Sequence, residues 1–170
     1  MAMPRRLFMF DLFINGESFL GKVTELTVPK LSLKTEDYQG AGMPGSVAVT
    51  MGFEAGALDM EVTVGGLEST LIKQFGGMLD GTQCRYSGSY LDDQTGRAVA
   101  CEIQTRGRFV EVDWGASKQG EGTTHKYPVK NTYYKLTVDN EVLVEIDLLG
   151  LVWNVGGKDL MEQHRKNIGH

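Results

Sequence analysis

Apolar and polar residues alternate one for one along several stretches of this chain, and that period of two constrains its fold more than any other feature. In SVAVTMGF, Val47, Val49, Met51 and Phe53 point one way, and Ser46, Ala48, Thr50 and Gly52 the other. Such a stretch reads as a β-strand with one buried face. In ALDMEVTVGG, Leu58, Met60, Val62 and Val64 share a side, and Asp59, Glu61 and Thr63 share the opposite one. The long run AVACEIQTRGRFVEVDW places Val99, Cys101 and Ile103 inward and Glu102 and Gln104 outward, with Gly107 marking a bulge or bend. NTYYKLTV and VLVEIDLL are two further strands around a turn at Asp139-Asn140. DLFINGESFLG is a hairpin, because Asn-Gly is the strongest short signal for a type I′ turn. KVTELTV ends at Pro29, and CRYSGSYLDD turns back at Gln94-Thr95-Gly96.

The period changes in only two places. GLESTLIKQFGG sets Leu67, Leu71 and Phe75 four residues apart, a short amphipathic helix that Gly76-Gly77 can end. Near the C-terminus Asp159, with Glu162 three residues on, predicts an N-cap and capping box for a terminal helix. GAGMPG is too glycine-rich to pack a core, and GASKQGEGTTHKYPV is polar and reads as a loop. No internal repeat occurs. The expectation is a single domain over residues 1–170, mainly β and antiparallel, with one helix packed on it.

At 170 residues and 41% hydrophobic, the chain can bury a core without a metal or disulfide. Cys84 and Cys101 stand apart from any metal-ligand spacing and read as small apolar residues in a reducing compartment. MAMPRRLFMFDLFI is interrupted by Asp11 and lacks a cleavage site, so it does not read as a secretory signal. No run reaches the ~18 apolar residues of a membrane span. The expectation is a protein made and folded in the cytoplasm, with no membrane binding of its own.

Catalytic constellations do not emerge. His125, His164 and His170 lie far apart in polar or terminal settings and read as exposed. GAGMPG lacks the Gly-Lys-Ser/Thr ending of a phosphate loop and precedes a strand. LDDQTG is a turn rather than a calcium loop. Glu54, Asp59 and Glu61 have no desolvating cleft nearby to make an acid/base pair. No enzyme activity, cofactor or metal is expected. The net charge of −5 argues against a nucleic-acid binder, but not against a surface that nucleic acid slides past.

Four stretches taken together, VPKLSLKTEDYQGAGMPG, GSYLDDQTG, SKQGEGTTHKYPVKNTYYKLTVDNEVLVEID and EQHRKNIG, resemble the major tail tube protein of P2-like contractile phages and the related tube protein of R-type bacteriocins. The resemblance runs nearly the full chain. It departs at Asn140, where the family pattern has glycine, and at His170, where it has an aliphatic residue. What it implies is a small β-sandwich or half-open barrel with a flanking α-helix and a long loop or hairpin that reaches neighbouring subunits. It further implies hexameric rings stacked into a hollow tube for DNA, or for ions in a bacteriocin. The implied partners are copies of the chain, the sheath protein, the baseplate or tail initiator, and the tape measure protein. If each subunit lends about four strands, ~24 strands close a barrel with a lumen on the order of 40 Å.

Under that resemblance the inter-subunit arm falls at about residues 34–48, with Glu36, Tyr38, Gly40, Gly42, Met43 and Gly45 as its contact residues. The glycines permit a conformation set by a neighbour's surface. SVAVTMGF and its expected partner ALDMEVTV offer Ser46, Thr50, Glu54, Asp59, Glu61 and Thr63 as lumen-facing candidates, an acidic wall that repels phosphates. The long strands at Val99–Arg106 and Tyr133–Val138 stand as alternatives. Two other readings remain open. One is a monomeric β-sandwich with Tyr133, Tyr134 and Trp153 lining a ligand cleft. The other is a tube subunit of type VI secretion.

Overall fold

Three tight turns set the frame of the main sheet. In the computed structural model, which describes all 170 residues, strand β1 (Arg6–Ile14) turns into β2 (Glu17–Ser18) through Asn15 and Gly16, with φ of 50° and 85°. Strand β9 (His125–Val138) turns into β10 (Glu141–Asp147) through Asp139 and Asn140, with φ of 50° and 64°. Both pairs take the left-handed values of a type I′ turn, which Asn and Asp tolerate. Between β7 (Thr82–Asp92) and β8 (Arg97–Phe109) the Asp92 carboxylate accepts the N–H groups of Gln94 and Thr95.

Three further strands, β3 (Val23–Thr27), β6 (Met60–Val64) and β11 (Val152–Val155), and the two-residue β12 (Lys158–Asp159) complete a ten-stranded antiparallel sheet. Its order is β12-β11-β10-β9-β8-β7-β1-β2. The sheet divides at β9. The first half of this strand pairs with β6 and the second half with β10, while β8 lies along its other side. β3 pairs with β6.

Gly107 sits where the division occurs. The register of β8 against β9 shifts between Arg106 and Gly107, and a Cβ on Gly107 would lie 2.1 Å from the Lys130 carbonyl oxygen. The bulge bends the pair, and the sheet curls over itself. Leu12 and Ile14 of β1 therefore pack in one cluster with Val62 and Val64 of β6, Phe109, Tyr127 and Val129. A second cluster, around Tyr86, Ile103, Tyr134 and Ile146, fills the upper half. The alternation expected for Val99, Cys101 and Ile103 holds: Val99 and Ile103 are buried, and Cys101 is half-buried. Both thiols are free.

Several expectations are corrected. Helix α1 (Ser69–Ile72) is a single turn that buries Leu71 in the core with Ile72 packed at its margin, while Leu67 and Phe75 stay exposed because no layer covers their side. In α2 (Glu162–Asn167) Asp159 is not the N-cap. Its carboxylate accepts the Met161 N–H and holds Arg165 at 2.5 Å, and Glu162 pairs forward with Lys166. HKYPV belongs to β9, not to a loop. His125, expected at the surface, is buried, with Trp114 edge-on to its ring at 4.9 Å.

The largest correction concerns SVAVTMGF. Strand β5 (Val47–Phe53) does not pair with β6. It pairs only with β4 (Leu33–Tyr38), in a two-stranded sheet separate from the main one. Val47, Val49 and Met51 of its apolar face are not buried, because no third strand or helix lies beneath them; only Phe53, at the base, is half-buried.

Candidate assembly surfaces

The ribbon of β4 and β5 carries the first surface. Directly opposed residues share a face of an antiparallel pair. Tyr38 stands opposite Val47 and Glu36 opposite Val49, so Tyr38, Val47, Val49 and Met51 share one side, with Glu36 among them. These four are between 43% and 60% exposed, an apolar stripe facing water. A two-stranded ribbon is marginal alone, and this one is anchored at its base. Phe53 packs on Trp153 with ring centroids 4.7 Å apart, and the Glu54 N–H donates to the Ser32 carbonyl at 3.0 Å.

All six expected arm residues lie on this ribbon, but its tip is not a shapeless loop. The Met43 N–H donates to the Gly40 carbonyl at 3.1 Å, the Met43 Sδ accepts from the Gly40 N–H, and Gln39 Nε2 donates to the Met43 carbonyl. Gly42 takes φ +85°, which a side chain resists, and a Cβ on Gly40 would lie 3.1 Å from the Tyr38 hydroxyl. Gly45 has neither constraint.

The six expected lumen residues do not form one surface. Ser46 and Thr50 are on the ribbon, and Glu54 follows its base. Asp59, Glu61 and Thr63 belong to the β6 region. Thr63 is buried at 5% exposure, because β6 is an interior strand between β3 and β9. Asp59 pairs with Lys130 and Glu61 with Lys126 at 3.6 Å, so the acidic wall is countered by lysines one strand away.

A second surface was legible only in the polar halves of the long strands. The main sheet turns one face to the core. Its other face carries Asp11, Arg85, Glu102, Arg106, Lys135, Glu145 and Asp147, all at least partly exposed. The register sets Arg85 beside Gln104, Gln104 beside Lys135, and Lys135 beside Glu145, one polar rung across four strands. The Tyr133 hydroxyl donates to Glu145 at 2.9 Å, and Gln104 donates to Glu102. Burial and then the Glu145 carboxylate push the Tyr133 phenol up to about 12, which keeps it a donor. The face holds both signs of charge in near balance.

The third surface is an edge. β1 meets β2 only at Phe13 and Ile14, so along Arg6–Asp11 no strand pairs with its outer side. Leu7, Phe8 and Met9 are exposed there. At the far end of the sheet the tail covers part of the margin. The Leu160 N–H donates to the Trp153 carbonyl, and Arg165 donates to that of Leu151.

The family model described as phage tail tube protein FII matches residues 4–169. The tail tube protein of Escherichia phage P2 is 45% identical over 171 residues, covering 99% of each chain. The major tail tube protein of Serratia phage KSP20 is 45% identical over 165 residues, covering 94% of this chain and 92% of its own. Among solved structures, a chain of the anti-feeding prophage baseplate, determined by cryo-EM with 6-fold symmetrisation, aligns at TM-score 0.48 and 8% identity, over 80% of this chain and 95% of its own.

Proposed function

The chain belongs to the phage tail tube protein FII family, and we propose that it builds its tube from hexameric rings in which the free edge of β1 is completed by a neighbouring copy and the β4–β5 ribbon reaches onto the next. It is a structural subunit of a contractile phage's tail tube, a component of the virion tail, and not an enzyme. The observation that carries the assembly reading is the ribbon. A side of Tyr38, Val47, Val49 and Met51 left in water is unfavourable until a second surface covers it.

In this reading the polar face of β1, β7, β8, β9 and β10 turns to the channel. A strand edge extended by a copy continues the same sheet, and closing the ring puts one face on the concave side. The polar face suits that side, since it needs no cover. Its mixed charge neither holds nor strongly repels the phosphates of DNA in transit. Sheath protein fits the outer wall, with the baseplate or tail initiator and the tape measure protein as the remaining partners. The subunit is made in the host cytoplasm before the tail assembles.

Negative-stain microscopy of the concentrated protein tests the reading. Rings or tubes of uniform bore are the expected result. A strictly monomeric species under all conditions, including with an isolated tail initiator complex, overturns it.

A further inference from the structure

We propose that Arg85 and Arg106 form a phosphodiester-contact site on the polar sheet face, one per subunit. The two arginines flank a groove of about 430 Å³ whose walls also include Gln83, Gln104, Phe13 and Tyr133. They sit diagonally across β7 and β8, Arg85 opposite Gln104 and Gln83 opposite Arg106. Each guanidinium is laid over a ring, Arg85 at 4.1 Å from the Phe13 centroid and Arg106 at 4.2 Å from that of Tyr133. Stacking fixes the plane of the fork and leaves its edge free to donate.

The carboxylates beside them do not use those donors. Glu102 lies 3.6 Å from Arg85 and Asp147 3.8 Å from Arg106, close enough to balance charge and too far for a hydrogen bond. What remains is two oriented forks with unspent N–H groups, the geometry that takes an oxygen-rich planar or tetrahedral anion. The nearby carboxylates keep the affinity low. Where this face lines the channel, which rests on the assembly reading above, each ring presents a belt of such arginines to a passing duplex. The belt makes brief contacts and lets go, a register for the strand rather than a trap.

The test uses the unassembled subunit and a fluorescein-labelled DNA duplex of about 20 base pairs, followed by anisotropy at about 50 and 200 mM salt. Weak binding that falls with salt is expected. Arg85→Gln with Arg106→Gln should reduce it by about tenfold or more and flatten the salt dependence by about two charges. Glu102→Gln with Asp147→Asn should strengthen it, which guards against a trivial loss of fold in the arginine variant. Equal binding by the arginine variant and the wild type overturns the proposal, as does no binding by both the wild type and the carboxylate variant. Tube formation is scored separately by microscopy. Wild-type protein that binds the duplex but never forms tubes would sink the assembly reading and leave the arginine site standing.

Discussion

At Gly107 the chain has no room for a side chain. A Cβ there would meet the Lys130 carbonyl at 2.1 Å and Asn131 at 2.5 Å, both on the strand that the bulge crosses. Asn131 cannot move away freely, because its Nδ2 is buried and donates to the Leu58 carbonyl at 2.9 Å. Gly107→Ala should cost on the order of 3 kcal/mol, the usual penalty for overpacking a fixed site, read as a drop in Tm of roughly 10 °C. An unchanged melt would mean that the bulge is not rigid. A buried phenol and a buried thiol add a pH dependence at the same scale. Burial raises Cys84 to about 12, and Tyr134 to about 12. In each case the folded state holds its proton more tightly than the unfolded chain, whose values lie near 8.5 and 10. Their contribution is complete below about pH 8 and is lost as pH rises toward 12. Tm measured from pH 7 to 11 should fall at the alkaline end, and Tyr134→Phe should make that fall shallower.

Among the elements, the β4–β5 ribbon differs most from what its sequence pattern suggests. Its alternation is regular, and its apolar side is real, but the side is not part of this subunit's core. Val47→Thr, Val49→Thr and Met51→Thr together should leave the unfolding free energy within about 1 kcal/mol of wild type, as exposed substitutions do. Tube formation should fail. Shortening the tip by deleting Gly40–Gly45 should act alike, since no core residue is lost. A triple variant that melts early would place the stripe against its own body, and one that forms normal tubes would remove the ribbon from assembly. The turns at Asn15-Gly16 and Asp139-Asn140 were legible, because the preference of those residues for positive φ is their own property, whereas the turn at Leu151, with φ 55°, carried no such signal. Helix α1 was legible only in part, because a four-residue spacing gives a stripe but not the layer that must cover it.

Of the two ends of the main strand order, one is covered in part and the other is open. The tail, through Leu160, Asp159 and Arg165, covers the margin near β11, whereas β1 leaves its outer side unpaired over residues 6–11. Phe8, 67% exposed on that edge, is where a charge should block pairing with a copy while leaving the fold intact. Phe8→Lys should remain monomeric by light scattering at concentrations where the wild type assembles, with an unaltered circular dichroism spectrum. Assembly of the variant at wild-type concentration would shift the ring contact to another edge. The size of the free apolar surface, spread over ribbon and edge, fits a subunit whose folding is complete but whose burial is not.

By itself the sequence determined the period, and with it most of the long strands, the tight turns at Asn15-Gly16 and Asp139-Asn140, the bulge at Gly107 and the family, but not the start of β9 nor β11 and β12. These depend on residue chemistry within a few positions, or on a pattern along the whole chain. Only the tertiary structure decided which apolar faces meet a partner: β6 between two strands with even Thr63 covered, β5 on a ribbon with Val47 and Val49 in water, and Arg85 and Arg106 brought across β7 and β8 to one groove. Alternation tells a strand that it has two sides. It takes the packing of distant segments to say what, if anything, lies against each.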